Sequence, residues 1–153
     1  MVSEIIKTSG NLTITLYGPN NEIKHQVTVP NMIVTTGKNF IAASMLKTTS
    51  NSPVAMTHMA LGSGTTAPVM ANTTLENEFV GGGNSRSSVT ASVADSVVTY
   101  SATFGPGNCV GSVTEAGIFN NSTGGTMLCR TKFPVVTKEA ADTITIVWNI
   151  TLG

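Results

Sequence analysis

Charge is what this sequence has least of. Asp, Glu, Lys and Arg make up 10% of its residues, whereas ordinary soluble domains carry about 25%. Acidic and basic residues balance to a formal net charge of zero, which argues against nucleic-acid binding because that function needs a clustered basic patch. A net charge near zero favours association. We therefore expect other protein to cover much of the surface, the alternative being a weakly charged protein with a free surface.

Aromatic residues and long apolar runs are also scarce. Phe, Trp and Tyr amount to 5% of the chain, which disfavours a carbohydrate-stacking platform. No apolar run approaches the ~20 residues that a helix needs to cross a bilayer. The first ten residues, MVSEIIKTSG, lack the continuous apolar core of a secretory signal. We expect no membrane partner, and we expect the protein to be made and used in the cytoplasm.

Cys109 and Cys129 are the two cysteines of the chain. They form no CxxC pair and have no histidine cluster nearby, so a zinc site is not expected. Two reduced, buried thiols are the expectation for a protein assembled in the cytosol. A bridge between them is the alternative if their strands are neighbours.

The histidines and the glycine-bearing stretch show no spacing typical of a catalytic or phosphate-binding site. His25 and His58 belong to no HExxH motif, and the glycine-bearing stretch GSGTTAP from Gly62 lacks the GK[ST] ending of a phosphate loop. Carboxylates from separate elements could still converge in a hydrolytic cleft; the candidates are Glu115, Asp95, Glu139 and Asp142. The sequence therefore predicts no enzyme, no metal and no cofactor, with such a cleft as the open alternative.

Alternating apolar and polar residues predict a mainly β fold in one domain. Residues 12–17 and 23–29 alternate around the turn sequence GPNN and predict a hairpin. Trp148 lies at alternate positions with Ile144, Ile146 and Ile150, so it is predicted to share their face of the strand and to lie in the core. The other predicted strands cover residues 55–61, 87–93, 97–104, 113–119, 127–135 and 143–152. About eight strands with frequent turns indicate an antiparallel β-sandwich or barrel.

Two helices are predicted to accompany the strands. Residues 34–47 change to a helical period, with Thr36 as N-cap and Lys47 complementing the dipole at the C-terminal end. A second, short helix is predicted after Asn72 or Thr73, since Thr73 and Glu76 have capping-box spacing. Residues 1–10 are predicted to form an N-terminal arm, and residues 11–153 the β-rich domain.

Three ordered groups of segments carry a resemblance. The first is VTTGKNFIA at 34–42, the second is MALGSGTTAP at 59–68 running on to NTTLENE at 72–78, and the third is TEAGIFN at 114–120 followed by GTMLCRTKF and ITIVWNIT. In this order they resemble small structural proteins of tailed-bacteriophage particles, namely capsid decoration proteins and tail-fibre or collar proteins. The resemblance covers the chain from about residue 34 onward.

The resemblance implies a non-enzymatic, oligomeric building block of the virion. The leading expectation is a capsid decoration, or cement, protein that binds the outer shell as a homotrimer and clamps neighbouring subunits. Its partners would be the major capsid protein or other virion proteins. A tail component, such as a collar or fibre-attachment protein, is the alternative, followed by a host-polysaccharide-binding module or depolymerase.

An assembly interface is expected among uncharged residues, including those of Thr- and Ser-rich strands, which could pair with a neighbouring chain at an exposed edge. Such residues can be buried without the desolvation cost of ions. One group lies in the predicted arm, which could become ordered on the shell, and the other in the loop after residue 62. The candidate interface residues are Ile5, Ile6, Thr65, Thr66, Pro68 and Val69.

Overall fold

The chain forms two antiparallel sheets in a computed structural model that describes residues 3–46 and 53–153. The first sheet has the strand order β2-β1-β10-β7-β6. Its strands are β1 (Thr8–Tyr17), β2 (Ile23–Pro30), β6 (Thr90–Ala94), β7 (Val97–Phe104) and β10 (Thr143–Leu152). The second sheet has the order β3-β9-β8-β4-β5. Its strands are β3 (Met32–Ile33), β4 (His58–Gly62), β5 (Ser87–Ser88), β8 (Gly111–Phe119) and β9 (Met127–Lys138).

The core lies between the two sheets. Leu12 and Ile14 of β1 stand opposite Trp148 and Ile146 of β10, and all four side chains are fully buried. Because directly opposite residues share one face of a sheet, this ladder makes a continuous apolar surface, and Ile118 of the second sheet belongs to the same core cluster. The prediction of a mainly β, antiparallel fold is confirmed, and the arrangement is consistent with a sandwich. The predicted core position of Trp148 is confirmed too.

The strand count differs from the expected eight. The described residues form ten strands. β3 is absent from the predicted strands, because a strand of two residues is too short to show alternation. The strand predicted over residues 87–93 is divided between β5 in the second sheet and β6 in the first, so the prediction of one continuous strand there is wrong. The hairpin of β1 and β2 forms as predicted, with Asn21 at a positive φ of 64° in its turn.

One helix is present among the described residues, α1 (Thr35–Ser44). Its N-cap residue is Val34, which makes no side-chain capping bond, so the prediction of Thr36 as N-cap is wrong. The Thr36 hydroxyl instead donates to the Met127 carbonyl at 2.8 Å and ties the helix to β9. Gly37 lies against the Leu128 backbone, where a Cβ would collide with the carbonyl oxygen. Lys47 lies outside the described residues.

The predicted short helix after Asn72 does not form, since residues 71–80 contain only turns, bends and one bridge. Thr73 and Glu76 do not make a capping box. The Glu76 carboxylate accepts two hydrogen bonds from Thr66, and the Glu76 N–H donates to the carboxylate of Glu115. Long-range contacts have taken the groups that a capping box would use.

The segment predicted to be an arm is partly a strand. β1 begins at Thr8, and Thr8 pairs with Leu152 while Gly10 pairs with Ile150. Residues 3–7 precede the strand. In the part of the chain that the structure describes, no helix is long and apolar enough to cross a membrane.

Candidate functional site

The carboxylate of Glu115 is the centre of a buried polar cluster. Glu115 lies on β8, is 0% exposed, and stands among apolar neighbours on its strand. Its Oε1 accepts hydrogen bonds from the N–H groups of Gly64 at 3.0 Å and Asn77 at 2.7 Å. Its Oε2 accepts one from the Glu76 N–H at 3.0 Å. The carboxylate therefore holds the backbone of a loop that lies far from it in sequence.

Arg130 supplies the opposite charge from the neighbouring strand β9. Its Nε and Nη2 atoms lie 2.9 Å and 2.8 Å from Oε2 of Glu115, and the arginine is 1% exposed. Its remaining donors also reach the loop. Nη1 donates to the Asn72 side-chain oxygen at 3.0 Å, and Nη2 donates to the Thr66 carbonyl at 3.1 Å. A buried arginine needs such partners, because an unpaired buried charge is strongly destabilising.

Residues 63–78, here called the anchored loop, are thus fixed to the second sheet along their length. The loop also pairs with the sheet at its C-terminal end, where Gly62 and Glu78 form an antiparallel bridge. Gly64 has to be glycine at this point, because a Cβ there would lie 2.5 Å from the Glu115 Oε1 atom and equally close to Cβ of Glu76. The loop follows β4 and is fixed to the second sheet by its hydrogen bonds with Glu115 and Arg130.

A second cation fixes the end of the anchored loop. Arg86 forms a bidentate ion pair with Glu78, with Nε–Oε1 and Nη2–Oε2 distances of 2.7 Å and 3.0 Å. Its guanidinium lies 3.6 Å from the ring centroid of Phe119, in cation–π geometry. Its Nη1 donates to the carbonyls of Asn121 and Gly124 in the β8–β9 turn. Arg86 therefore joins the loop to that turn.

The other carboxylates considered for a hydrolytic cleft lie elsewhere. Glu139 and Asp142 bind Lys24, with oxygen-to-Nζ distances of 3.1 Å and 2.8 Å. The hydrogen bond from Lys24 lowers the pKa of Asp142, and Asp142 in turn raises the pKa of Lys24. Asp95 occupies the β6–β7 turn at a φ of 51°. Glu139 and Asp142 are paired with Lys24, and Asp95 lies in a turn, so none of the three belongs to the Glu115 cluster.

The histidines and cysteines are separate from this cluster. His58 contacts the Thr57 hydroxyl at 2.8 Å, and His25 is exposed on β2. Both cysteines are buried free thiols. Burial raises the pKa of Cys109 to about 11 and raises that of Cys129 well above its usual range. Within residues 3–46 and 53–153, no three or more His, Cys, Asp or Glu side chains are grouped to hold a metal ion.

Comparison with known proteins identifies no relative: no family model, no curated protein and no solved structure matches this chain. Function must therefore be inferred from the ordered sequence segments and from the geometry of the anchored loop.

The six candidate interface residues fall into two groups. Thr65, Thr66, Pro68 and Val69 lie in the anchored loop, whereas Ile5 and Ile6 precede β1 and are 78% and 69% exposed. No hydrogen bond joins the two groups among the residues described. Thr66 also helps to fix the loop, since its hydroxyl donates to Glu76 and its carbonyl accepts from Arg130.

The outer surface of the anchored loop is almost uncharged. Its two ionisable side chains are Glu76, whose carboxylate already accepts hydrogen bonds from Thr66, and Glu78, which is mostly buried and paired with Arg86. Val69 and Met70 are 52% and 40% exposed. The other exposed side chains are small or neutral, namely Thr65, Thr66, Ala67, Ala71, Thr73, Thr74 and Asn77. The exposed surface of the anchored loop is therefore largely neutral.

The sequence patterns point to Glu115 only as a catalytic carboxylate and give Arg130 no role. A usable signal is nevertheless present in both strands. Glu115 comes directly before the apolar residues AGIF, and Arg130 directly after the apolar residues MLC; charged residues in such strands are seldom fully buried unless they are paired. Two opposite charges in separate buried strands thus indicate one ion pair, although the sequence alone does not give their register.

Proposed function

We propose that this protein is a non-enzymatic structural protein of a bacteriophage particle, which binds the outer capsid shell as a decoration protein. The observation that carries the proposal is the convergence of the resembling segments on one ion pair. Glu115 of TEAGIFN and Arg130 of MLCRTKF hold Gly64 and Thr66 of LGSGTTAP and Asn77 of TTLENE. These four segments therefore act together to form and fix the anchored loop.

The buried charges support a structural role. Glu115 accepts three backbone hydrogen bonds and one from Nε of Arg130, has Nη2 of Arg130 at ion-pair distance, and is inaccessible to solvent beneath the loop. A group that binds or protonates a substrate must reach it directly or through one water. In this arrangement the ionised residues stabilise the loop, and the neutral side chains above them provide the binding surface.

The proposed partner is the major capsid protein or another protein of the virion shell. A neutral threonine- and alanine-rich surface can be buried without desolvating ions, which makes attachment to a preformed shell favourable. Cryo-electron microscopy of the particle that carries this chain tests the placement. We expect density for it on the outer shell. Density found only at the tail would overturn the capsid assignment in favour of a collar or fibre-attachment protein.

A binding experiment tests the anchored loop itself. Val69→Lys places a charge on the exposed loop, and Val135→Lys makes the same change on β9 of the same sheet, where Val135 is 54% exposed. We expect Val69→Lys to weaken cosedimentation with shells lacking the protein by at least about tenfold, because the buried lysine would lose its hydration. Val135→Lys should bind as the unmodified protein does. Equal binding of both variants would show that the loop is not the shell-binding surface.

A further inference from the structure

The two sheets end in four edge strands among the described residues, and three of these edges are protected. Unpaired backbone groups at a sheet edge invite pairing with another chain, and short strands, lysine, proline and bulges prevent it. β3 and β5 are two residues long. β2 contains Lys24 and Pro30, and its pairing with β1 has an irregularity at Leu16/Tyr17.

The fourth edge, β6, has none of these protections. Its sequence is TASVA, without a charge or a proline, and its register with β7 is uninterrupted over all five residues. Every residue of the strand is exposed. Among the edges described, β6 is the one left available for strand addition.

Backbone geometry shows which groups of β6 are free. A two-residue turn, Asp95 and Ser96, joins Ala94 to Val97, and the pair that flanks such a turn is hydrogen-bonded. Hydrogen-bonded and non-bonded pairs alternate along an antiparallel ladder. The N–H and C=O groups of Ala91 and Val93 therefore point away from β7, toward the open edge.

Ala91 and Val93 also provide the apolar side chains of this edge. Val93 stands opposite Val98 and Ala91 opposite Tyr100, so their side chains lie on the face of Val98 and Tyr100. That face forms one wall of an apolar groove of about 300 Å³, whose other wall includes Phe40, Ile41 and Met45 from α1 and the residue after it. Val93 is 71% exposed and Met45 is 80% exposed. The open edge and the exposed apolar residues thus occur together.

We propose that β6 pairs antiparallel with β6 of a second copy, with Ser92 facing the same residue of that copy. In this register Ala91 stands opposite Val93 of the second copy and Val93 opposite its Ala91. All of these residues have outward-pointing backbone groups, so each opposed pair exchanges hydrogen bonds. All have their side chains on the groove side as well. The two first sheets become one continuous sheet, and the helices of both copies lie on the same side of it.

A second copy fits this edge because the strand is compatible with itself. No charge lies between Thr90 and Ala94, so two identical strands meet without repulsion, and the chain has zero net charge. An isologous contact of this kind closes at two copies, in place of the trimer expected from the resemblance. The contact stands on geometry alone and does not depend on the proposed place in a phage particle.

Sedimentation velocity over a wide concentration range tests the pairing. We expect the unmodified chain to form a dimer reversibly. Val93→Lys should weaken dimerisation by at least about tenfold, since an edge lysine opposes strand addition, and Val93→Pro should do the same by removing an outward-pointing N–H. The control Val147→Lys makes the same charge change at a 43% exposed position on the central strand β10, and it should leave the dimer unchanged.

Hydrogen exchange supplies the second readout. The Ala91 and Val93 amides should gain protection on dimerisation and lose it in Val93→Lys. A monomer at every concentration would overturn the proposal, as would an oligomer that Val93→Lys and Val93→Pro leave intact. Either result would leave the shell-binding test of Val69→Lys unaffected, so the two proposals fail separately.

Discussion

Glu115 and Arg130 face each other from neighbouring strands, with 2.8 Å between Oε2 and Nη2 and at most 1% of either side chain exposed. Gly117, two residues along β8 from Glu115, is the residue directly opposite Arg130, so the ion pair is a diagonal contact across the ladder. Both residues form their other side-chain hydrogen bonds with the anchored loop. The stability of the fold and the conformation of the anchored loop therefore depend on the same two side chains.

Arg130→Met should lower the free energy of unfolding by about 3–5 kcal/mol, because it leaves the Glu115 carboxylate buried without its counter-charge. Urea unfolding followed by the fluorescence of buried Trp148 measures the change. Lys132→Met is the matched control, since Lys132 is an exposed cation on the same strand; its effect should stay within about 0.5 kcal/mol. Equal stability of the two variants would contradict the role assigned to the ion pair.

Glu76 should make the anchored loop sensitive to acid. Hydrogen bonds from the N–H and hydroxyl of Thr66 lower the pKa of Glu76 from its ordinary value of 4.5. A lowered folded-state pKa stabilises the loop above pH 4.5, and this stabilisation is lost as the pH falls through the folded-state pKa. The hydrogen-exchange protection factors of residues 63–78, which correct for the intrinsic slowing of exchange in acid, should therefore fall in that acidic range.

Glu76→Gln provides the comparison for this pH dependence. The variant should show faster loop exchange at neutral pH and a flatter response to acid, because the amide does not titrate. Glu4→Gln, an exposed position before β1, should keep the original profile. If Glu76→Gln retained the acid response of the unmodified protein, another group would have to be responsible.

Gly37→Ala tests the contact between α1 and β9. A Cβ at this position would collide with the Leu128 carbonyl oxygen, so the helix must move away from the sheet. We expect a loss of about 1–3 kcal/mol, which is typical of overpacking, although alanine is the better helix former. Thermal unfolding of Gly37→Ala against Lys38→Ala, an exposed neighbour on the helix, measures it. A Gly37→Ala midpoint at or above that of the control would refute the close approach.

Both thiols should be unreactive in the folded protein. Thiolates are the reactive species, and burial raises the pKa of Cys109 to about 11 and that of Cys129 further above its ordinary value. Iodoacetamide at pH 8 should leave native protein unlabelled and modify both cysteines in guanidinium without prior reduction. Failure to label the unfolded, unreduced chain would indicate a disulfide in place of the free thiols.

Strands with long alternation can be predicted from sequence because their periodicity is local. The sequence predicts strands over residues 97–104 and 143–152, and these coincide with β7 and β10. The pairing of β6 with β7 follows from the short turn between the two runs. In each case the stabilising pattern is contained within one or two adjacent segments.

The anchored loop could not be predicted because its determinants are distant in sequence. Thr73 and Glu76 have the spacing of a helix start, yet the Glu76 N–H binds Glu115, 39 residues further along the chain. A capping box gives about 1 kcal/mol, whereas a buried carboxylate without its donors loses several. The longer-range contact therefore decides the conformation. The ion pair itself requires the β8–β9 register, which no local pattern contains.

The position of β10 constrains how the chain can fold during translation. β10 is inserted between β1 and β7, and its residues are the last of the described strands to be synthesised. Until they leave the ribosome, the apolar faces of Leu12 and Ile14 on β1 have no neighbouring strand to complete the sheet on that side. Pairing elements so far apart in sequence is slow, and the exposed strands are prone to aggregate in the interval. Yield in the cell should therefore depend on chaperone capacity more than the stability of the finished protein would suggest.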